Sequence, residues 1–333
     1  MVRVAINGFG RIGRMIYRAG LFDSDIEFIA INDLATPEQL AYLLKYDSAH
    51  GRLDAEVKVE GSSIYVNGNE LKVLSERDPA KLPWKDLNID VVIESTGIFR
   101  KRLDMEKHLQ AGAKKVLLSA PPKGEEKVKT IVFGVNQNEI TADDDLISNA
   151  SCTTNSLAPV VKVLNDSIGI IKGFMDTIHS YTADQKLVDA PHSDFRRGRS
   201  AAESIIPTTT GAAESVTETI PELKGKMTGI AFRVPTVDGS ITDFDAILKR
   251  AITKEELYSI VKTASRNEFK GILDITTEPL VSKDIVGNSH SSIVDWNNCI
   301  VMDDFVKIVT WYDNEWGYSN RMIDLVKTLA KFI

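Results

Sequence analysis

The N-terminal segment shows two hydrophobic periods in succession. Val2–Asn7 alternates and is rich in β-branched residues, which is typical of a buried strand. Glycines then interrupt the chain, and apolar residues recur at helical spacing between residues 12 and 19. A second strand-like run follows at residues 26–31. The pattern predicts a strand, a tight turn, a helix and another strand, which together make one βαβ unit.

The remainder of the first 150 residues continues this alternation. Apolar runs at residues 91–94, 116–119 and 131–135 predict further strands, and the segment 103–111 predicts a helix. Strands that alternate with helices indicate a parallel sheet. We therefore expect an α/β fold with an N-terminal doubly wound parallel (Rossmann) sheet.

After about residue 150 the pattern changes. A helix is predicted over residues 157–164, ending at Gly169. Longer strand-like runs follow at residues 173–181, 227–234, 241–248 and 306–312, without a helix between each pair. This pattern predicts an α+β domain with a mixed or largely antiparallel sheet. Residues 182–225 carry few strand signals, so we expect a long loop there, and such loops are usually functional.

Composition narrows the function classes. A chain of 333 residues suggests two domains, and 47 acidic against 40 basic residues give a net charge of −7, which does not favour nucleic acid as a partner. Two cysteines are too few for a disulfide framework or a thiolate zinc site, so we expect a cytoplasmic protein without a metal. No apolar run approaches the roughly 18 residues of a membrane span, and no leader is recognisable, so no membrane association is expected.

A glycine pattern follows the first strand. Gly8, Gly10 and Gly13 form G-x-G-x-x-G at the point where a strand leads into a helix, which is the context of a dinucleotide-binding loop. Asp33 ends the next strand, where a carboxylate binds a ribose diol and disfavours a 2′-phosphate. The pattern predicts NAD as cofactor. The alternatives are a glycine-rich turn that binds nothing and an aspartate that serves as a cap.

One cysteine lies in a setting suited to chemistry. Cys152 is flanked by Ser151, Thr153 and other polar residues at a predicted helix start, where the helix dipole lowers the pKa of a thiol. Cys299 has no such setting and is interpreted as structural. A nucleophilic cysteine needs a base, and five histidines compete for that role.

The histidines are not separated by sequence alone. His179 lies at the end of a predicted strand, where site residues gather, but a structural role is equally compatible. His108 is interpreted as a surface residue on a helix of the first domain. The three others fall in predicted loops and are not excluded: His50, His192 and His290.

Arginines collect in the long loop and after one strand. Arg199 and its neighbours Arg196 and Arg197, with Arg233 further on, accompany a run of threonines before Gly211. Guanidinium groups and hydroxyls suit a small phosphorylated ligand. A solvated loop is the alternative.

Taken together, these motifs resemble the phosphorylating glyceraldehyde-3-phosphate dehydrogenase family over essentially the whole chain. The resemblance is carried by six segments: Ile6–Arg14, Tyr46–Gly51, Ala150–Asn155, His179–Thr182, Asp194–Arg199 and Trp311–Tyr318. It implies oxidation of glyceraldehyde 3-phosphate to 1,3-bisphosphoglycerate with NAD and inorganic phosphate. In this reaction Cys152 forms a thiohemiacetal and then a thioester, and His179 acts as the base.

The resemblance also implies contacts residue by residue. NAD would be bound by the three glycines and by Arg11, Ile12, Asp33, Arg77, Ser119 and Asn314. The two phosphate groups would be bound by Ser151, Thr153, Thr182, Arg199, Thr210, Gly211 and Arg233. It further implies a homotetramer, an NAD-binding domain of residues 1–149 joined by a C-terminal helix within 315–333, and a catalytic domain of residues 150–314.

Three alternatives remain. An erythrose-4-phosphate dehydrogenase would use the same thiol but hydrolyse the thioester. A semialdehyde dehydrogenase would make an acyl phosphate of an amino acid, although the segment around Asn314 argues against it. A catalytically silent NAD-binding scaffold would lack the thiol, the base or an anion-binding arginine, and all three are present.

Overall fold

The computed structural model describes all 333 residues, which form two compact units. The N-terminal unit comprises residues 1–150 and 319–333, and the C-terminal unit comprises residues 151–318. No helix is long and apolar enough to cross a membrane.

The N-terminal unit contains a nine-stranded sheet in the order β10-β11-β9-β8-β1-β2-β7-β6-β5. The seven strands from β10 to β7 are parallel, and β6 and β5 continue the sheet as an antiparallel hairpin edge. A separate pair, β3 with β4, is antiparallel. The strands are β1 Val2–Asn7, β2 Ile26–Asn32, β3 Tyr46–Asp47, β4 Gly51–Arg52, β5 Val57–Glu60, β6 Ser63–Val66, β7 Asn69–Leu74, β8 Val91–Glu94, β9 Lys115–Leu118, β10 Lys129–Thr130 and β11 Leu146–Ser148.

Four helices belong wholly or partly to this unit: α1 Arg11–Gly20, α2 Pro37–Lys45, α3 Arg102–Gln110 and the part of α8 (Trp316–Leu329) from residue 319 onward. Thr36 caps α2 in a capping box with Gln39. The end of α1 packs against α8, since a Cβ at Gly20 would lie 2.7 Å from Ile323 Cδ1. Lys327 of α8 also pairs with Asp23 at 2.9 Å.

The C-terminal unit contains an eight-stranded mixed sheet. Its order is β13-β14-β12-β15-β19-β17-β16, with β18 pairing β19. The pairs β12/β14 and β16/β17 are parallel and the others are antiparallel. The strands are β12 Ile170–Ser180, β13 Ile206–Thr209, β14 Met227–Val234, β15 Ser240–Leu248, β16 Leu273–Thr276, β17 Ser292–Asp295, β18 Ile300–Met302 and β19 Phe305–Tyr312.

Four helices accompany this sheet: α4 Cys152–Ser167, α5 Ala212–Thr219, α6 Lys254–Arg266 and α7 Ser282–Ile285. Ser151 caps α4, because its side chain accepts a hydrogen bond from the Thr154 N–H. Most of α4 is buried, and it packs on β12, β15 and β19. The predicted fold class, with a parallel-rich N-terminal sheet and a mixed C-terminal sheet, is confirmed.

Two local predictions are wrong. Residues 131–135 do not form a strand; the strand is the short β10 just before them. The chain turns instead, because the Asn136 side chain accepts from the Val132 N–H and Gly134 has φ +93°. The stretch 182–225 is not one loop, because it includes β13 and α5. Strand β13 was not predicted because it contains Pro207, and a proline usually argues against a strand. A proline is tolerated on an edge strand such as this one.

Candidate active site

The thiol of Cys152 and the imidazole of His179 lie within contact distance. Cys152 is the first residue of α4, and His179 is the next-to-last residue of β12. The distance from Cys152 Sγ to His179 Nε2 is 3.4 Å. The packing of α4 on β12 therefore joins two side chains that are 27 residues apart in the chain.

Hydrogen bonding assigns the tautomer of His179. Its Nδ1 lies 2.7 Å from the carbonyl oxygen of Ser180, and a carbonyl only accepts. Nδ1 also lies 3.0 Å from Arg233 Nη1, which only donates, but the contact with the carbonyl is shorter. The proton of the neutral ring is therefore assigned to Nδ1, which leaves the lone pair of Nε2 facing the thiol of Cys152. This is the arrangement a general base requires.

Arg233 is the register partner of His179 on the adjacent strand β14. Its Nη1 lies 3.0 Å from His179 Nδ1 and donates to the Ser180 carbonyl at 3.2 Å. The Nε of Arg233 is buried and has no hydrogen-bond partner. A buried, unpaired guanidinium donor beside a nucleophile is suited to an anionic ligand.

Burial and the positive charge of Arg233 shift the pKa values of His179 and Cys152. Burial lowers the pKa of His179 to about 3, and the Arg233 charge acts in the same direction, so the ring is neutral at physiological pH. Burial raises the pKa of the Cys152 thiol, while Arg233 and hydrogen bonds from Thr153 oppose that rise. The expectation of a lowered thiol pKa is therefore wrong for the protein without ligands, because burial outweighs the helix start.

The side chain of Tyr312 packs beside the Cys152–His179 pair. The Tyr312 hydroxyl lies 2.9 Å from Thr153 Oγ1 and 3.0 Å from Thr177 Oγ1. Its ring meets His179 edge-on, with centroids 5.9 Å apart. These contacts tie α4, β12 and β19 together and fix the first turn of α4 against the imidazole.

The predicted anion-binding residues fall into two groups. Arg233 lies at the pair, as do Ser151 and Thr153, which flank Cys152. The members elsewhere in the unit are Thr182, which follows β12 by two residues, and Thr210 and Gly211, which connect β13 to α5. Arg199 is exposed, with 68% of its side chain accessible, and it pairs with Asp189 at 2.9 Å.

In the N-terminal unit the glycine loop has the shape of a phosphate-binding turn. A Cβ on Gly8 would lie 2.6 Å from Thr96 N, and one on Gly13 would lie 2.2 Å from the Gly8 carbonyl oxygen. A Cβ on Gly10 would meet nothing within 4 Å, and no side chain caps α1 at this position. The first and third glycines thus permit the tight turn, while the second leaves open space at a helix N-terminus, which fits a pyrophosphate.

The other predicted cofactor residues of this unit lie at the carboxyl edge of the parallel strands. Asp33 follows β2 and accepts from the Phe9 N–H at 2.9 Å, which links the carboxylate predicted to bind a ribose to the glycine loop. Ser119 follows β9, and exposed Arg77 follows β7. Ile12 lies in the first turn of α1.

The side chain of Arg11 is engaged elsewhere. It forms a two-pronged contact with Asp47, at 3.0 and 3.2 Å. This leaves its backbone, rather than its guanidinium, at the start of α1. Asn314 belongs to the C-terminal unit, where its Oδ1 accepts from Ser240 Oγ at 2.6 Å.

Family models match both units. The model described as the NAD binding domain of glyceraldehyde 3-phosphate dehydrogenase matches residues 2–102, and the model of its C-terminal domain matches residues 151–314. The chain is 55% identical over 331 residues to the glyceraldehyde-3-phosphate dehydrogenase of Geobacillus stearothermophilus, covering 99% of this chain and 98% of that protein. It is 54% identical over 332 residues to glyceraldehyde-3-phosphate dehydrogenase 1 of Bacillus subtilis, at the same coverage. The chain belongs to the glyceraldehyde-3-phosphate dehydrogenase family.

The family resemblance inferred from the sequence is thereby confirmed. The prediction that the chain is an NAD-dependent oxidoreductase is confirmed with it. More distant members are also similar along their whole length. The glyceraldehyde-3-phosphate dehydrogenase of Bacteroides fragilis is 51% identical over 334 residues, covering 99% of both chains.

Among the loop arginines of this glyceraldehyde-3-phosphate dehydrogenase family member, the sequence pattern named Arg197 but did not single it out. Arg197 donates to Thr208 Oγ1 at 3.0 Å and pairs with Asp184 at 2.9 Å. Its charge contributes to lowering the pKa of both His179 and Arg233. Sequence reasoning had no means of separating it from its neighbours, since all lie within four positions of one another.

The histidine of the N-terminal unit was assigned wrongly. His108 is not a surface residue but is completely buried, bound to Trp84 and Glu94. Its helix α3 turns this side chain inward, and the polar partners make its burial possible. The remaining histidines make local contacts: His50 N–H with Asp47, His192 with Asp194 and His290 with Asn288.

Cys299 is buried, with 1% of its surface accessible, and its Sγ contacts the Asp295 carbonyl oxygen at 3.3 Å. Burial raises its pKa to about 11. This thiol therefore stays protonated at neutral pH, and its sulfur contacts a carbonyl oxygen rather than an imidazole such as the one that Cys152 contacts.

Proposed function

We propose that this protein oxidises glyceraldehyde 3-phosphate to 1,3-bisphosphoglycerate, with NAD and inorganic phosphate, in glycolysis and gluconeogenesis. The observation that carries the proposal is the 3.4 Å contact between Cys152 and a histidine whose free lone pair faces it. Over 50% identity to enzymes of that name supports the choice of substrate.

Cys152 and His179 perform the covalent chemistry. His179 Nε2 accepts the thiol proton as Sγ attacks the aldehyde carbon and passes that proton to the aldehyde oxygen, which gives a neutral thiohemiacetal. His179 then accepts that hydroxyl proton as the carbon loses a hydride and the thioester forms. NAD, when bound, supplies the acceptor for that hydride. An oxygen of inorganic phosphate attacks the thioester carbonyl and expels the Cys152 thiolate, which takes back the proton held by His179 and restores the starting state.

Burial keeps the His179 ring unprotonated, which suits a group that must accept a proton. Because its pKa is about 3 in the unliganded protein, the ring is almost entirely in the basic form at pH 7. An anionic substrate that pairs with Arg233 reduces the positive charge acting on the ring. We therefore expect substrate binding to raise the pKa of His179 and to strengthen it as a base.

The phosphate groups of substrate and co-substrate are held by arginines and hydroxyls. We assign Arg233 and Thr182 to the substrate phosphate, and Ser151, Thr153, Thr210 and Gly211 to the attacking phosphate. Arg197 takes the assisting role first given to Arg199, because its charge reaches His179 whereas Arg199 is exposed and paired with Asp189.

NAD is held mainly by the N-terminal unit. The backbone of the glycine loop with Arg11 and Ile12 would bind the pyrophosphate, and Asp33 would bind a ribose diol. Arg77 and Ser119 would add contacts at the same edge, and Asn314 would hold the nicotinamide amide. Residues 1–149 with 315–333 then form the NAD-binding domain, and residues 150–314 the catalytic domain.

We also propose a homotetramer in the cytoplasm. One face of the sheet in the C-terminal unit carries Phe174, Ile230, Ile247 and Phe305, each between 38% and 42% exposed. Strand pairing places these positions on a common face, away from His179. The segment 187–205 adds exposed apolar side chains, among them Phe195 at 88%. Exposed apolar surface of this extent supports burial by further copies of the chain.

The deciding experiment is NADH formation from glyceraldehyde 3-phosphate with and without inorganic phosphate. We expect NADH formation to require phosphate, and Cys152→Ser to abolish turnover while the protein still binds NAD. Cys299→Ala serves as the matched cysteine control and retains activity. Turnover that does not depend on phosphate would instead support thioester hydrolysis, as in an erythrose-4-phosphate dehydrogenase.

A further inference from the structure

A completely buried carboxylate lies behind the cofactor loop. Glu94 is the last residue of β8 and has no accessible surface. Its Oε2 is 2.6 Å from Asn7 Nδ2 and 3.0 Å from His108 Nε2. Its Oε1 accepts from the Thr96 N–H at 2.9 Å and from the Thr96 hydroxyl.

One side of this network fixes the protons of His108. The indole N–H of Trp84 only donates, and it lies 3.0 Å from His108 Nδ1. Nδ1 therefore accepts, and the proton of the neutral ring is on Nε2, directed at Glu94. The histidine thus acts as a neutral donor, so the carboxylate has no cationic partner within this set of contacts.

On the other side of the network, the backbone of Glu76 fixes the orientations of the Asn32 and Asn7 side-chain amides. The Glu76 N–H donates to Asn32 Oδ1, and the Glu76 carbonyl accepts from Asn32 Nδ2, both at 2.8 Å. Asn32 Nδ2 also donates to Asn7 Oδ1 at 2.7 Å. This forces Asn7 Nδ2 toward Glu94.

The hydrogen bond from the remaining partner, Thr96, also has a defined direction. Thr96 Oγ1 accepts from the Ile98 N–H at 3.1 Å, so its own proton is available for Glu94. Every partner of Glu94 therefore donates, and Glu94 only accepts. Four donors converge on two oxygens, which matches an ionised carboxylate and not a carboxylic acid or an amide.

The network ends at the segments that bind the cofactor. Asn7 directly precedes Gly8, Asn32 directly precedes Asp33, and Glu76 directly precedes Arg77. Thr96 is packed against the loop, since a Cβ on Gly8 would lie 2.6 Å from Thr96 N. Asn7 is also the register partner of both Asn32 and Glu94 in the parallel sheet.

We propose that Glu94 is a positioning residue for NAD. Its carboxylate sets the mutual placement of the glycine loop, the ribose-binding aspartate and the turn after β8, and it touches no ligand itself. This inference rests on the use of NAD by the N-terminal unit.

The test is Glu94→Gln, which preserves volume but turns one oxygen into a donor. Whichever oxygen is replaced, the amide faces donors from Thr96 or from Asn7 and His108. We expect the Kd for NAD, measured by titration of the protein without substrate, to rise at least about tenfold. The KM values for aldehyde and phosphate should stay within about twofold. Glu27→Gln, on the half-exposed face of β2, is the matched control and leaves all three values unchanged.

Two further variants separate positioning from stability. Thr96→Val removes one donor without altering Glu94, and we expect a rise of about threefold in the Kd for NAD with little change in the thermal unfolding temperature. Adding Asn7→Asp to Glu94→Gln returns an acceptor to the network and should restore part of the NAD affinity. A Kd for NAD within twofold of wild type in both single variants would overturn the inference. Failure of the wild type to bind NAD at all would instead overturn the proposed function.

Discussion

Arg233 Nη1 lies 3.0 Å from His179 Nδ1, and the two residues are direct register partners on the parallel strands β14 and β12. Both atoms also contact the Ser180 carbonyl oxygen. The arginine therefore acts on both members of the proposed catalytic pair: its charge lowers the pKa of His179 and opposes the rise in the pKa of Cys152.

Removing that charge should change thiol reactivity. In Arg233→Gln the pKa of Cys152 should rise further, because the charge of Arg233 no longer opposes the effect of burial. The measurement is the pH dependence of iodoacetamide alkylation in the protein without ligands, whose midpoint should move to higher pH. Arg250→Gln, which removes an exposed arginine paired with Glu256, is the control. A midpoint that stays in place or moves down would contradict the role of Arg233.

The two neighbouring loop arginines should behave differently. Arg197→Gln should raise the KM for glyceraldehyde 3-phosphate or for phosphate about tenfold, because it removes a charge that reaches His179. Arg199→Gln should change either KM by less than about threefold, since its guanidinium is exposed and screened. Steady-state kinetics on both variants shows which arginine assists phosphate binding. A larger effect for Arg199→Gln would return that role to Arg199, as the sequence predicted.

Asp33 should control the choice between NAD and NADP. Asp33→Ala removes the carboxylate that would repel a 2′-phosphate and also removes the acceptor of the Phe9 N–H. We expect the ratio of kcat/KM for NAD over NADP to fall at least about tenfold. Asp25→Ala, an exposed aspartate just before β2, is the control and leaves the ratio unchanged. An unchanged ratio in Asp33→Ala would show that Asp33 does not set the preference.

Asp47 links the stability of the protein to pH. Burial alone would raise its pKa, but hydrogen bonds from the His50 N–H and Arg11 outweigh burial and hold it at about 2. A carboxylate with a depressed pKa stabilises the fold above its ordinary value of 3.8, and this stability is lost as pH falls toward 2. We expect Asp47→Asn to lower the free energy of unfolding at pH 7 by about 2 kcal/mol.

Urea unfolding at a series of pH values checks this prediction. The difference between Asp47→Asn and wild type should narrow between about pH 4 and pH 2. Asp54→Asn removes a nearby carboxylate of the same type and should show no comparable dependence. A constant difference over that range would mean that the charge of Asp47 is not the cause.

Local sequence patterns determined much of the fold. Val2–Asn7, the helix from residue 11 and the strand from residue 26 were predictable because period-2 and helical spacing report directly which side of an element is buried. The glycine loop was predictable for a related reason: only glycine fits φ +92° at Gly8 and the 2.2 Å approach at Gly13. Cys152 stood out because its neighbours are polar where a core helix would be apolar.

Contacts between distant segments were not predictable in this way. Residue patterns alone left a structural role for His179 open, and only the family resemblance named it as the base. The same patterns treated Arg197 as one of three neighbouring arginines. They also assigned His108 to the surface, where the structure buries it with Glu94. In each case the answer depends on which strands pair, in which register, and on what each helix packs against.

The sequence by itself therefore determined the two fold types, because each local pattern predicts a strand or a helix and their order predicts the sheet. It also determined the cofactor loop and the nucleophile candidate, because each of these is encoded within about ten consecutive residues. Residue patterns did not choose the imidazole that faces Cys152; the tertiary structure does, since strand register and the packing of α4 on β12 bring the thiol and His179 to 3.4 Å. It also set the balance of charge there, because burial and Arg233 act through space and not along the chain.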